Sequence, residues 1–157
     1  IKLSTFGGSN NDSTQKIIAT QDNGYAVFGF TQSNDFDITD KTDNSYDYWL
    51  LKFSSEDELQ WSKTYGGSDD DRGRSIVSTS DGGFVITGFS QSSDGDVTEN
   101  NGLYDFWLAK LDANGNTVTN TPILSGQQQT NQTDAWLQQT INISNYLVFE
   151  FYWDFIG

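Results

Sequence analysis

The sequence predicts an all-β fold built from two copies of one four-stranded unit, and three observations predict it. Most of the stretch from residue 6 to residue 52 is written a second time from residue 65 to residue 110. The chain has 15 Gly and one proline, which suits many tight turns, and an aromatic fraction of 15%, which suits pleated strands. Short apolar segments also recur at regular spacing between turn signals, as they do in antiparallel sheets.

Each copy begins with two strands joined by a glycine-containing turn. In the first copy, residues 16–20 lead through the turn at 22–24 into residues 25–30, and the second copy repeats this order with 75–79, 81–83 and 84–89. Glycine takes positive φ at no steric cost, so each pair is predicted to be a β-hairpin. Gly29 and Gly88 recur inside the second strand, where glycine is unfavourable. We therefore expect a bulge or the close approach of a neighbouring sheet at both.

A third strand follows a polar loop in each copy, at residues 48–53 and 106–111, and a fourth is predicted at 59–65. In the second copy the turn at 112–115 contains Asn-Gly, a strong hairpin signal. The two copies span about residues 1–60 and 61–118. A repeat of this length is a supersecondary unit that cannot bury its apolar face alone.

The motifs that open and close the copies resemble those of a known repeat family. The opening motifs are Phe6-Gly7-Gly8-Ser9 and Tyr65-Gly66-Gly67-Ser68, and the closing motifs are Tyr46-Asp47-Tyr48-Trp49-Leu50 and Tyr104-Asp105-Phe106-Trp107-Leu108. Over residues 1–118 this pattern is similar to the repeat of bacterial extracellular β-propellers, the SBBP-type repeats of secreted Bacteroidetes proteins. The resemblance implies β-propeller-type blades of four strands. Because a closed ring needs about four to eight blades, it also implies an incomplete ring or an open array.

The repeat pattern ends near Thr117, and a boundary loop containing Pro122 follows. Residues 136–143 and 147–153 predict two more strands in a short C-terminal β segment. Residues 134–146 resemble the early strands of a jelly-roll module of the MAM or carbohydrate-binding type. Residues 119–157 are therefore expected to be either the start of such a module or a cap on the repeats.

Charge and composition exclude several functional classes. The formal charge of −14, from 22 acidic and 8 basic residues, argues against nucleic acid and anionic membrane as partners. The chain has no His and no Cys, which excludes Ser-His-Asp and Cys-His catalysis and the His- or thiolate-based zinc sites. No apolar run is long enough to span a membrane. No signal peptide heads the chain. The sequence starts inside a strand-like pattern at Ile1, which we interpret as a mature or excised fragment.

The polar loop after the second strand of each copy is the candidate metal site. Its oxygen side chains fall at alternate positions and resemble an EF-hand loop in part, and Ca²⁺ prefers about six to eight oxygen ligands. The alternative is a solvated loop whose side chains cap their own backbone. The predicted calcium ligands are Asp35, Asp37, Thr39, Asp43 and Asp47 in the first copy and Asp94, Asp96, Thr98, Asn100 and Asp105 in the second.

Other repeated residues are predicted to have structural roles. Asp12 and Asp71 follow the Gly-Gly turns, and we expect their carboxylates to accept backbone N–H bonds there. Trp49 and Trp107 are expected to pack in the core between the copies. Trp61 has only Thr119 opposite it in the other copy, so it is a freer candidate for a surface aromatic.

Together these observations predict a secreted or cell-surface module without catalytic activity, for adhesion, assembly or protein binding. Its partners would be other repeats or protein chains that pair with open sheet edges. The first alternative is a carbohydrate-binding module of a polysaccharide-degrading protein, with a glycan as the partner. The second is a carboxylate-based glycosidase or lyase that uses an unrepeated acid, such as Asp134 or Asp154.

Overall fold

A computed structural model describes residues 3–118 together with two short strands at 141–143 and 147–149. The chain divides into two compact units, Ile1–Val118 and Thr119–Gly157. The described residues form β-strands, turns and irregular segments and contain no helix, so the all-β prediction is confirmed. Accordingly, none of them belongs to a helix that could cross a membrane.

The first copy folds as a four-stranded antiparallel sheet, called here the first sheet, in the order β1-β2-β3-β4. Each predicted strand lies within or overlaps an observed one. Positive φ at the turn between β1 and β2 falls on Asn23, at 64°, and not on the predicted Gly24. Asparagine tolerates this conformation, whereas Gly24 is needed because a Cβ there would lie 2.2 Å from the carbonyl oxygen of Phe53. The strands are β1 Asp12–Ala19, β2 Tyr25–Thr31, β3 Asp47–Phe53 and β4 Leu59–Tyr65.

The second copy forms a three-stranded antiparallel sheet, the second sheet, in the order β5-β6-β7. Its strands are β5 Asp71–Ser78, β6 Phe84–Ser90 and β7 Asp105–Leu111. A fourth strand was predicted for this copy, but the described residues of this unit end at 118, and they show only a bridge between Leu111 and Thr117. Residues 3–118 thus form two antiparallel sheets and no closed barrel. Their assignment as propeller blades stays a prediction.

In the C-terminal unit two short strands pair antiparallel, β8 Ile141–Ile143 and β9 Leu147–Phe149. They fall inside the predicted strands at 136–143 and 147–153. The other residues of those two predictions, and the segment that resembles a jelly-roll module apart from 141–143, lie outside the described residues.

The two sheets of the first unit pack face to face around one apolar core. The side of each sheet that points into this core is called its inner face, and the opposite side its outer face. Each large apolar side chain that is fully buried stabilises the fold by about 1.5–3 kcal/mol, so this contact is a main source of stability. The buried residues are Ala26, Phe28, Tyr48, Leu50 and Tyr65 from the first sheet and Ile76, Phe84, Ile86 and Leu111 from the second.

Close backbone approach explains the glycines inside β2 and β6. A Cβ on Gly29 would lie 1.9 Å from the carbonyl oxygen of Ser13, and a Cβ on Gly88 would lie 2.1 Å from that of Arg72. The partner strand of each glycine carries a β-bulge at this point. The expectation of a bulge or a close approach is therefore confirmed at both positions.

Candidate functional site

The acidic residues that follow the Gly-Gly turns hold those turns in place. Asp12 Oδ2 accepts a hydrogen bond from the N–H of Gly8 at 2.8 Å, and Asp71 Oδ2 accepts one from Gly67 at 2.8 Å. The hydroxyl of Ser92 also donates to Asp71 Oδ2 at 2.8 Å. Burial raises the pKa of Asp71, and these donors offset part of the rise. The structural role predicted for Asp12 and Asp71 is confirmed.

The first two carboxylates of the candidate calcium loop in the first copy bind the same kind of turn. Asp35 Oδ1 accepts the N–H of Ser9 at 2.8 Å, and Asp37 Oδ2 accepts the N–H of Gly7 at 2.9 Å. Both carboxylates therefore fasten the loop to the segment that enters β1. The backbone amides that they bind are 26 and 30 residues away, so these two side chains do not cap the backbone of their own loop as the alternative proposed.

The second copy repeats these bonds. Asp94 Oδ1 accepts the N–H of Ser68 at 2.8 Å, and Asp96 Oδ2 accepts the N–H of Gly66 at 3.2 Å. The donors at Ser68 hold the pKa of the Asp94 carboxyl below its usual value. Agreement between two independent copies of the motif shows that this is the architecture of the repeat and not a local accident.

The last two carboxylates of the first loop surround a buried lysine. The side chain of Lys41 is only 1% exposed, and its Nζ forms an ion pair with Asp43 and lies 3.3 Å from Asp47 Oδ1. The hydroxyl of Ser45 accepts from the same Nζ at 2.9 Å. Burial raises the pKa of Asp47 to about 7, and the neighbouring ammonium offsets only part of this rise. The cation in this cluster is thus the ammonium group of Lys41.

The second loop is organised differently at this end. Asn100 takes the place of Lys41, and its Nδ2 donates to the carbonyl oxygen of Ser90 at 3.1 Å. Asp105 Oδ2 accepts the N–H of Asn101 at 2.6 Å. The two predicted threonine ligands, at positions 39 and 98, are exposed on their loops.

Taken together, the ten predicted calcium ligands lie on two loops, and all of them except the two threonines have one side-chain oxygen that binds the protein itself. Among residues 3–118 no three carboxylates lie close enough together to hold a metal ion. Calcium binding stays a prediction.

The outer face of the second sheet is apolar and open. Phe106 is 97% exposed and Leu108 is 63% exposed, whereas their counterparts Tyr48 and Leu50 in the first copy are fully buried. An exposed apolar patch of this kind marks an interaction site. Sequence reasoning predicted open sheet edges and missed this face. The apolar residues of the face are Val77, Val85, Phe89, Phe106 and Leu108, and Ser75, Thr87 and Lys110 lie on the same face.

The outer face of the first sheet carries an aromatic cleft of about 330 Å³. The rings that line it are already engaged with one another: Tyr25 stacks on Phe53 with 4.9 Å between ring centroids, and Phe6 meets Phe53 edge-on at 5.2 Å. Trp49 is buried, and its Nε1 donates to the hydroxyl of Ser62 at 2.8 Å. The cleft therefore presents apolar ring edges more than free ring faces.

Two arginines of β5, which sequence reasoning also missed, lie over aromatic rings. The guanidinium of Arg72 is 4.1 Å from the ring centroid of Tyr46, and that of Arg74 is 5.0 Å from Phe89. Arg72 also pairs with Asp70 at 2.7 Å. Such cation–π contacts contribute about 0.5–1 kcal/mol at exposed sites. The available signal was that both positions break the repeat, since the first copy has no basic residue at either.

The tryptophans divide between confirmation and correction. Trp107 packs on Tyr48 in the core between the copies, with ring centroids 4.7 Å apart, so its predicted role is confirmed. Trp49 is also buried, but it packs with Leu51 and Phe53 on the outer face of the first sheet, so its predicted place between the copies was wrong. Trp61, the freer candidate for a surface aromatic, lies between these two outcomes. It is half-buried and meets Phe84 edge-on at 6.0 Å, because β4 of the first sheet lies beside the second sheet.

A comparison with protein-family models and with curated protein sequences finds no match to this chain. The resemblance to extracellular β-propeller repeats therefore stays a prediction. The two unrepeated acids proposed for a glycosidase or lyase, Asp134 and Asp154, lie outside the described residues.

Proposed function

We propose that the protein is a non-catalytic β-repeat module, secreted or displayed at the cell surface, that serves adhesion, assembly or the binding of another protein. The observation that carries the proposal is the contrast between Phe106, 97% exposed, and Tyr48, fully buried at the matching position of the other copy. The first repeat buries this face of its sheet against the second repeat, whereas the second repeat leaves the matching face exposed to solvent. A large apolar surface left in water is best accounted for by a partner that covers it.

The chemistry of the acidic groups supports a role without catalysis. The repeated carboxylates accept backbone N–H bonds in both copies, as Asp12 and Asp71 do, which is what the fold needs. The one aspartate whose pKa is raised to about 7, Asp47, is buried beside Lys41 and points to a structural ion cluster. We take the two sheets to be blades of the β-propeller type in an incomplete ring or an open array.

Calcium stabilisation is the part of the proposal that the described geometry supports least. In the first loop the site would have to use Asp43 and Asp47, which already face the ammonium of Lys41. Titrating Ca²⁺ into protein that has been treated with a chelator tests calcium binding. An ion that binds only the folded state raises the melting temperature as the ion concentration increases. An unchanged melting temperature removes calcium from the proposal.

The second candidate is a carbohydrate-binding module, and the aromatic cleft on the first sheet is the observation in its favour. Sugar binding by stacking needs an accessible ring face. In this cleft Tyr25 and Phe53 stack on each other, which leaves their shared surface to the protein. We therefore place protein binding first.

Dye binding and a glycan array separate the two candidates. In dilute solution the native chain should bind a hydrophobic fluorescent dye, and Phe106→Glu should bind much less. The matched control is Phe36→Glu, which places the same charge on an 81% exposed loop residue and should leave dye binding unchanged. Saturable binding of one polysaccharide class that survives Phe106→Glu would favour the carbohydrate-binding candidate. Hydrolysis of any glycan would refute the non-catalytic role.

A further inference from the structure

We infer that the partner of the open face is a second copy of this chain, docked head to tail. In this arrangement the outer face of the second sheet of one copy packs on the outer face of the first sheet of the next. The inference rests on the proposed binding role and names its partner.

The template for this docking is the contact between the two sheets inside the chain. There, the inner face of the first sheet meets the inner face of the second. By the repeat alignment, the outer face of the second sheet corresponds to that inner face of the first, as the pair Phe106 and Tyr48 shows. The outer face of the first sheet likewise corresponds to the inner face of the second. Each molecule therefore carries counterparts of both halves of its own internal interface. On the first sheet this surface is open at β1, whereas Trp49, Leu51 and Phe53 of β3 are already buried in the single chain.

The exposure of β1 agrees with this correspondence. Ile76 of the second copy lies in the internal interface and is 1% exposed. Its counterpart, Ile17, pairs with Val27 on the outer face of the first sheet and is 61% exposed. Two isoleucines at the same repeat position thus differ only in whether a sheet lies against them.

Side-chain volumes also change together across the two interfaces. Inside the chain, a Cβ on Gly73 would lie 2.4 Å from the ring of Phe28, so the ring packs on bare backbone. In the docked pair the corresponding residues are Thr14 and Thr87. A large ring against glycine is replaced by two residues of intermediate size, and such volume-conserving exchanges are the ones that packed interfaces tolerate.

The aromatic contact at the centre has an equivalent as well. Tyr48 packs on Trp107 inside the chain, and the docked chains would bring Phe106 to the face that Trp49 lines, where only 5% of Trp49 is exposed. The hydroxyl of Tyr48 donates to the carbonyl oxygen of Trp107 at 3.2 Å, and phenylalanine cannot make that bond. We therefore expect the contact between copies to be weaker than the contact within one.

Charge and geometry set the form of the assembly. A head-to-tail contact leaves one free face at each end, so it adds copies in rows or rings and does not stop at a two-fold dimer. Each chain carries a formal charge of −14, and the resulting repulsion between chains is screened by salt. Association should therefore rise with both protein concentration and ionic strength.

Sedimentation velocity of the full chain at increasing concentration tests the inference. The native protein should form dimers and larger species. Phe106→Glu and Ile17→Glu should each weaken association roughly tenfold or more, because each buries a charge at the centre of the contact. Both residues are exposed in the single chain, so neither change should unfold it. Phe36→Glu, on an exposed loop outside both faces, should associate like the native protein.

Mixing the two weakened variants is the decisive experiment. Phe106→Glu retains an intact first sheet, and Ile17→Glu retains an intact second sheet, so the mixture should form a one-to-one dimer that neither forms alone. A native chain that stays monomeric, including one whose face is covered by its own residues 119–157, overturns the inference. A two-fold dimer indifferent to Ile17→Glu does so too. A chain that stays monomeric but binds dye through Phe106 would leave the binding role standing. A chain that neither associates nor binds dye through Phe106 would refute both proposals.

Discussion

Ile76 and Ile17 allow the packing of the two sheets to be measured with an internal control. They occupy the same position of the repeat, but Ile76 is 1% exposed in the core and Ile17 is 61% exposed on the outer face. Truncating a buried isoleucine to alanine removes its transfer free energy and leaves a cavity, which together cost about 2–5 kcal/mol. Ile76 packs in a core that includes Ile86 and Phe84, so we expect Ile76→Ala to lower the free energy of unfolding by about 3 kcal/mol.

Ile17→Ala should lower the free energy of unfolding by less than about 1 kcal/mol, because most of that side chain is already in water. Urea denaturation of dilute protein, followed by tryptophan fluorescence and circular dichroism, measures both. Dilution matters because the docking inferred above would bury Ile17. Equal costs for the two substitutions in dilute solution would refute the reasoning, since they would mean that the second sheet does not lie against the first as described.

Three further outcomes are expected. Asp71→Ala should cost about 3 kcal/mol and Asp71→Asn less, because alanine leaves the buried donors of Gly67 and Ser92 without an acceptor. Asp47→Asn should raise the free energy of unfolding above pH 7, by up to about 4 kcal/mol, and leave it nearly unchanged near pH 4. The reason is that the pKa of Asp47 rises from 3.8 to about 7 on folding, so that ionisation of this carboxyl opposes folding. Lys41→Met should destabilise the protein at pH 7, because it leaves carboxylates without their buried counter-charge.

Denaturation curves at several pH values measure all three. The native protein should lose stability as the pH rises from about 4 to 7 through this group, and the Asp47→Asn variant should show a flatter profile over the same window. A stability loss in Asp47→Asn at pH 8 would mean that the charge of Asp47 is needed beside Lys41. Equal costs for Asp71→Ala and Asp71→Asn would mean that the turn does not depend on an acceptor at that position.

The strands and turns could be predicted from the sequence because their signals are local. Alternation of apolar residues and the turn tripeptides before residues 25 and 84 predicted the bounds of β2 and β6 to within one residue. Gly29 and Gly88 indicated the bulges in the strands beside them. Two in-register copies also meant that each assignment was made twice. The structural role of Asp12 and Asp71 followed from the same repetition.

Burial could not be predicted in this way, because it depends on which sheet lies beside which. Tyr48 and Phe106 are nearly the same residue in nearly the same motif, yet one is in the core and the other in water. The buried lysine at position 41 has no local signal either, since it sits in a polar loop. The alternating oxygens of Asp35 and Asp37 are ambiguous for a physical reason: backbone amides and calcium ions both seek such oxygens, and spacing alone does not separate them.

The way in which the two sheets stack gives the molecule a polarity. Both sheets point the same way along the stacking axis, so one end of the pair shows Ile17 and the opposite end shows Phe106. Copies tethered side by side to a common support by the same end would present identical ends outward and could not bind one another through them. Under head-to-tail docking, such a layer would instead recruit free copies from solution, each adding outward and renewing the same terminal surface.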